Sequence, residues 1–414
     1  MSRRRPTIDR QRVRTQPARR RASTVRARDE ARPVGAGASV AELLDSLPRI
    51  LAGADLQDAI RAWARAWKRD RLVLFGFGAH LIKVGLAPIV VDLLERGAIG
   101  GVMMNGAGCV HDLELAMMGR TSEEVGEALD EGRFGMAKET AERLNGAILR
   151  GRDDGLGMGA AIGREIAESS DPHRARSVLA VAWRLGIPVT VHTAIGTDIH
   201  HMHPSADGAA LGETSYRDFE TLASLVAGLD GGVMLNVGSA VVLPEVFLKA
   251  LALARNLGHP VSRITTIDCD FIRHYRPRVN VVERPTRLGG RGISLVGQHE
   301  ILIPLLAAGV IERFEQEAKG RKRASARRRT TRTPRARKAR SAFRAVIFTP
   351  PTTQRIPSST WITRAARATS TTRPSRRRSH QGARGGSPAT DGSGSRCRAK
   401  ARPARRRVIQ PGKR

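Results

Sequence analysis

The chain has 414 residues, with 71 Lys plus Arg against 39 Asp plus Glu and a formal net charge of +32. That charge sits at the ends: residues 1–33 carry a net +9 and residues 318–414 a net +29, leaving the middle at −6. A mildly acidic middle of this length suits one large α/β domain and excludes a small disulfide-built scaffold, since Cys109, Cys269 and Cys397 lie far apart with no paired spacing. No apolar run reaches the roughly 18 residues of a membrane span, and no apolar segment follows the amino-terminal arginines, so a reducing, cytoplasmic setting is expected.

Residues 1–37 lack apolar periodicity and read as a disordered basic leader. Ser39 reads as an N-cap before helix-spaced Val40, Leu43, Leu44 and Leu47, and Leu56 to Trp67 as a second helix. Arg71 to Phe75 (RLVLF) is a short buried strand ending in glycines. Ile82, Leu86, Ile89, Val90, Leu93 and Leu94 then form a helical stripe that Gly97 ends, and Ile99 to Met104 supplies a second strand. The expected loop Asn105-Gly106-Ala107-Gly108 lies at its carboxyl end, where open α/β sheets bind ligands. Thr121 and Glu124 have capping-box spacing. Helices are expected at 157–168, 175–185, 216–229, 244–257 and 302–310, and strands at 187–191, 233–237 and 264–269. This alternation predicts an α/β fold: a Rossmann-like parallel sheet with helices on both faces, in one domain over residues 38–317 between disordered basic tails.

Gly76-x-Gly78 lacks the third glycine of the dinucleotide fingerprint, so the motif alone is weak. The longer string from Gly78-Ala79-His80-Leu81-Ile82-Lys83 through Asn105-Gly106-Ala107-Gly108-Cys109-Val110-His111-Asp112 to Thr140 resembles the deoxyhypusine synthase family, particularly its bacterial deoxyhypusine synthase-like branch. The resemblance runs from about Leu72 to about Arg313. It implies NAD as cofactor and a homotetramer with active sites between subunits. The implied activity is transfer of an aminoalkyl (aminobutyl) group from spermidine or a related polyamine to an acceptor amine, either a protein lysine or a small amine.

The resemblance makes Asp198 the carboxylate for a polyamine ammonium, a cation that needs a fixed anion once it leaves water. It places Asp112 where relatives have an acidic cofactor contact, with a helix cap as the alternative, and it matches Gln298-His299-Glu300 to a segment that contacts the nicotinamide. Gly106, Ala107 and Gly108, the second lip Gly238 and Ser239, and Asp268 all fall at carboxyl ends of predicted strands and read as cofactor-binding, with helix caps as the alternative for each. His200, His201 and His203 invite a metal reading, but no cysteine or second carboxylate stands at ligand spacing. No metal is therefore expected, and His203 is the first choice for proton transfer. The family's Trp-Gly-Lys, whose lysine forms the imine, is missing: Val281 to Arg291 holds neither Trp nor Lys, and arginine is no nucleophile. Lys83 is the remaining lysine in a predicted site loop, catalytic if burial lowers its pKa and otherwise a surface lysine.

Two other classes stay open: an NAD-binding protein of this fold without transfer activity, and a nucleic-acid-associated protein acting through its tails. Residues 318–414 are Arg-rich and expected to be disordered, and they admit three readings: phosphate binding, an inert solvated tail, or a frameshift product of GC-rich DNA. With only Phe343, Phe348 and Trp361, the segment lacks the aromatics of a base-stacking surface.

Overall fold

The structure, a computed structural model, describes residues 7–330, with side chains as far as residue 316. Six parallel strands form one sheet: β1 (Val73–Phe77), β2 (Gly101–Asn105), β3 (Val189–His192), β4 (Val233–Val237), β5 (Thr265–Asp270) and β6 (Arg291–Val296). Their order is β3-β2-β1-β4-β5-β6. β1 lies at the centre, with Leu74 opposite both Gly101 and Met234. The expected Rossmann-like α/β sheet is what the chain builds.

The helices are α1 (Val40–Ser46), α2 (Leu51–Lys68), α3 (His80–Lys83), α4 (Ala87–Glu95), α5 (Gly106–Met118), α6 (Val125–Asp130), α7 (Lys138–Asp153), α8 (Met158–Glu168), α9 (Val178–Leu185), α10 (Gly208–Ala227), α11 (Val242–Asn256), α12 (Tyr275–Pro277) and α13 (His299–Thr330). They cover both faces because the strands point successive side chains to opposite sides. Phe75, Phe77, Val102, Met104 and Val191 pack with α2, α4, α5 and α9, while Leu74, Met103 and Met234 pack with α10 and α11. Trp63 of α2 is buried against Phe75, its ring centre 5.8 Å away, and donates its indole N–H to Ala98 O at 2.8 Å.

Several local expectations change. The single helix over 82–96 is two, because Gly85 takes φ +82° between α3 and α4. The Asn105–Gly108 loop is not a loop: Asn105 caps α5 by accepting Gly108 N–H, and Gly106 is the helix's first residue. Thr121 and Glu124 form no capping box; Glu124 caps α6, and Thr121 donates to Glu114 instead. Helix α7 and edge strand β6 were not foreseen, and α13 extends well past the expected 302–310. Ser39 does cap α1, in a reciprocal capping box with Glu42. Residues 7–37 run as exposed chain with three short 3-10 turns. They are tied to the α1 region by Arg32 N–H to Ser46 O (2.9 Å) and Arg49 N–H to Asp29 O (3.0 Å). The expectations for the Arg-rich tail lie, from residue 331 onward, outside the described residues.

Candidate active site

Strand order reverses between β1 and β4, and the carboxyl ends of these two strands form the crevice where doubly wound sheets take their ligands. Two glycines line it. A Cβ on Gly78 would lie 2.5 Å from Gly238 O, and Gly238 itself has φ +64° with His299 Cε1 2.7 Å from where its Cβ would be. Only glycine fits either lip.

Around Gly238 the polar groups are fixed by their partners. Asn236 donates from Nδ2 to Ser239 O (3.0 Å) and to Asp268 Oδ1 (2.8 Å), which leaves its buried Oδ1 without a donor. His299, fully buried, lies 3.2 Å from Cys269 O through Nε2; a carbonyl only accepts, so Nε2 carries the hydrogen and Nδ1 is a second orphaned acceptor. Burial raises Asp268 to about 6 against the opposing hydrogen bond from Asn236. This half of the site therefore offers acceptors to a ligand that donates.

The other half is a cleft of about 500 Å³ at the ends of β2 and β3. Its walls include Lys83 of α3, Ala107, His111 and Glu114 of α5, Thr121, and Asp198. Glu114 accepts from Thr121 Oγ (2.5 Å) and Thr140 Oγ (3.1 Å). Thr121's one hydrogen is thus spent, so His111 must donate to it through Nδ1–H (2.7 Å) and keep its lone pair on Nε2. Burial, then the Lys83 cation, holds His111 down at about 4, neutral at ordinary pH.

Asp198 is buried at the cleft wall, and burial lifts it to about 6 despite the Ala107 N–H and a hydrogen bond from Thr197. It is tied to His201 from both sides: His201 N–H donates to the Asp198 carbonyl (3.1 Å), while His201 Nδ1 accepts the N–H of Asp198 (3.4 Å) and of Gly196 (3.1 Å). The neutral His201 ring then carries its hydrogen on Nε2, 3.8 Å from Asp198 Oδ2, and both atoms are buried without a partner. His200 lies beside it, ring centres 4.4 Å apart, with Nδ1 hydrogen-bonded to Asn145 Oδ1 at 2.9 Å.

The expected site residues thus divide. Asp198 and Lys83 meet in one cleft, with Lys83 exposed as in its surface-lysine reading. Gly238, Ser239 and Asp268 gather at the switch point. Four others have internal roles. Gly106 makes room for a side chain rather than for a phosphate, because a Cβ there would lie 2.0 Å from Asp198 Oδ2; the N–H of Gly108 is already taken by Asn105. Asp112 caps α9, accepting from Ser177 Oγ (2.6 Å), Val178 N (3.0 Å) and Leu179 N (3.0 Å), so it faces the interior rather than a cofactor. His203 is not in the cleft wall; its Nδ1 pairs with Ser205. His111 and Glu114 were overlooked, although a spacing of three residues on one helix puts them on a shared face with Ala107.

No known family profile matches the chain, and no curated protein does. Solved structures resemble it distantly. The apo form of ArgZ, an arginine dihydrolase from the ornithine–ammonia cycle in cyanobacteria, is 14% identical at a TM-score of 0.40, over 62% of this chain and 31% of that one. A proposed LOR/SDH protein from Methanococcus maripaludis S2 is 14% identical at 0.43, over 64% and 71% of the two chains. A proposed deoxyhypusine synthase from Entamoeba histolytica is 10% identical at 0.40, over 67% and 94%. The chain spans about a third of the length of the cyanobacterial enzyme. Likeness this distant leaves the chemistry to the site itself.

Proposed function

We propose that the chain is an NAD-dependent enzyme of the deoxyhypusine synthase type that oxidises spermidine or a related polyamine. The observation that carries this reading is the pairing of a switch-point crevice with an adjoining cleft that presents a buried carboxylate, Asp198. The residues at the crevice fit the cofactor. Gly78 and Gly238 permit close backbone approach, and the orphaned acceptors Asn236 Oδ1 and His299 Nδ1, with Asp268, suit the hydroxyl and carboxamide donors of a dinucleotide. When bound, NAD supplies a hydride acceptor for the carbon beside the amine.

In the cleft, Asp198 holds the ammonium end of the amine. Neutral His111 accepts a further N–H through Nε2, its ring fixed by Thr121 and Glu114. The apolar side chains of Val110, Met118 and Phe134 accommodate methylenes and exclude water. The family resemblance then has the resulting imine pass its aminoalkyl group to an acceptor amine. It also favours assembly as a homotetramer.

Native mass spectrometry of the full chain, with NAD and then spermidine added, tests this. Retention of NAD and release of 1,3-diaminopropane is the expected result. A protein that retains no NAD, or that retains it and leaves a panel of polyamines intact, refutes the reading.

A further inference from the structure

The wall behind Asp198 has donors and acceptors for more than an ammonium. One nitrogen each of His200 and His201 and one oxygen of Asp198 lie within 4.8 Å of one another. Three points so spaced share a position no more than about 2.8 Å from each, which is hydrogen-bond distance. A metal ion would need lone pairs from both rings. His201 cannot supply one at Nε2, because its Nδ1 already accepts two backbone N–H groups and the hydrogen therefore sits on Nε2. An ammonium at this same position fits poorly for the same reason, since it would meet that N–H head-on; the substrate's ammonium reaches the carboxylate from the cleft instead. The two orphaned, buried atoms, an Nε2–H and a carboxylate Oδ2 separated by 3.8 Å, call for one small group that accepts from the first and donates to the second. Water does both, and a buried water commonly makes two to four such bonds.

From this geometry we propose that Asp198 and His201, flanked by His200, hold a water molecule as a reagent behind the cleft wall that Asp198 forms, and that the chain hydrolyses the imine it forms. This rests on the amine-oxidation half of the reading above and puts water in place of the acceptor amine. The missing Trp-Gly-Lys between Val281 and Arg291 points the same way, because no lysine there can store the aminoalkyl group for transfer. A secondary amine R–CH2–NH–R′ loses a hydride to the oxidised nicotinamide dinucleotide and its N–H proton to solvent, giving R–CH=N–R′. The water oxygen adds to the imine carbon, the C=N electron pair moves to nitrogen, and nitrogen gains a proton. The C–N bond then breaks, R′NH2 leaves, and loss of the hydroxyl proton gives the aldehyde. Asp198 Oδ2 takes a hydrogen of the water, and His201 Nε2–H steadies its oxygen.

The test uses the full chain with NAD and N-butyl-1,3-diaminopropane, whose butyl arm lacks the terminal amine by which spermidine's aminobutyl arm would close a five-membered cyclic imine. The proposal expects butanal, 1,3-diaminopropane and reduced cofactor in equal amounts. His201→Asn retains an acceptor near the Nδ1 position and lacks the Nε2–H. It should keep the first-turnover burst of reduced cofactor and lose steady-state butanal about 100-fold. Reduced cofactor without butanal overturns the proposal and leaves amine oxidation standing. If neither this amine nor spermidine is oxidised, the functional reading falls and the hydrolysis with it. Nitrogen-15 NMR of the histidines gives a check free of turnover: a hydrogen on His201 Nδ1, or a d–d spectrum on adding cobalt(II), would show that the site is built for a metal instead.

Discussion

Gly106→Ala separates a glycine that admits a phosphate from a glycine that admits a carboxylate. The position opens α5 with ordinary negative φ, so alanine's backbone is allowed there and, by helix propensity alone, favoured by about 0.5–1 kcal/mol. Its Cβ, however, would lie 2.0 Å from Asp198 Oδ2, 2.8 Å from Asp198 Cγ and 3.3 Å from Thr193 Cγ2. The carboxylate must retreat by at least about 1 Å, an overpacking that typically costs about 1–3 kcal/mol. In an Asp198→Ala background the obstructing atoms are gone, and the same substitution should be neutral or slightly stabilising. Urea denaturation of the four proteins in this cycle should therefore return a coupling of about 1–3 kcal/mol between the two positions. Displacement of Asp198 should also weaken spermidine binding, which calorimetry reads separately. If Gly106→Ala costs the same in both backgrounds, the packing argument is wrong; if it abolishes NAD binding in both, the helix start is a phosphate cradle after all.

Asp112→Ala removes the acceptor for Ser177 Oγ–H and the Val178 and Leu179 N–H groups, and should cost about 2–4 kcal/mol in denaturant titrations with NAD affinity intact; loss of NAD binding at unchanged stability would reverse that assignment. Gly238→Ala forces a Cβ at φ +64° into His299, so NAD affinity should fall at least 10-fold by calorimetry, and wild-type affinity would remove the switch point from the site. Burial holds the Asp218 carboxyl up at about 7 despite N–H bonds from Val191 and Gly159. Its folded pKa is raised, so its stabilisation is complete below the unfolded value near 4 and is lost as pH rises through 7. The stability difference between wild type and Asp218→Asn should thus fall by roughly 4 kcal/mol from pH 4 to pH 8, and a flat difference would refute the linkage. Lys83 is exposed, so borohydride trapping of a spermidine-derived aldehyde on the protein should be unchanged in Lys83→Ala; loss of the adduct would assign Lys83 imine chemistry after all.

The strands were legible because parallel strands buried on both faces are short apolar runs closed by glycine or a polar residue; VMLNV at 233–237 was placed to the residue. β6 escaped because it lies at the sheet edge, with Arg291 and Val296 exposed and only Ile293 and Leu295 buried, so its apolar run is broken. The site was legible in location but not in wiring. Sequence shows that Asp198, Gly106 and Asp112 follow strands. It does not show that Asp198 crosses from the β3 end to rest on Gly106, or that Asp112 reaches Ser177, 65 residues away. Such roles depend on which elements the topology makes neighbours, and no local pattern encodes that. His203 was preferred over His201 for the same reason: the choice turns on ring tautomers fixed by backbone N–H groups of a loop whose path the sequence leaves open.

The wiring constrains where a dinucleotide's negative charge can go. Helix amino termini attract phosphate because their first N–H groups are unpaired. At the carboxyl edge of this sheet most are already satisfied from within. Asn105 and Asp198 serve α5, Asp112 serves α9, and Ser239 Oγ accepts Leu243 N–H of α11. Of the helices that leave β1, β2 and β4, the pair after β1 lacks a side-chain cap: neither α3 nor α4 has one, and Pro88 opens α4 without an N–H to offer. The first turn after β1 is also where doubly wound folds hold pyrophosphate, next to Gly78 and facing Gly238. Under the proposed reading, these internal caps bar a dinucleotide's phosphates from the other helix starts, and its close approach falls to the glycine lips Gly78 and Gly238.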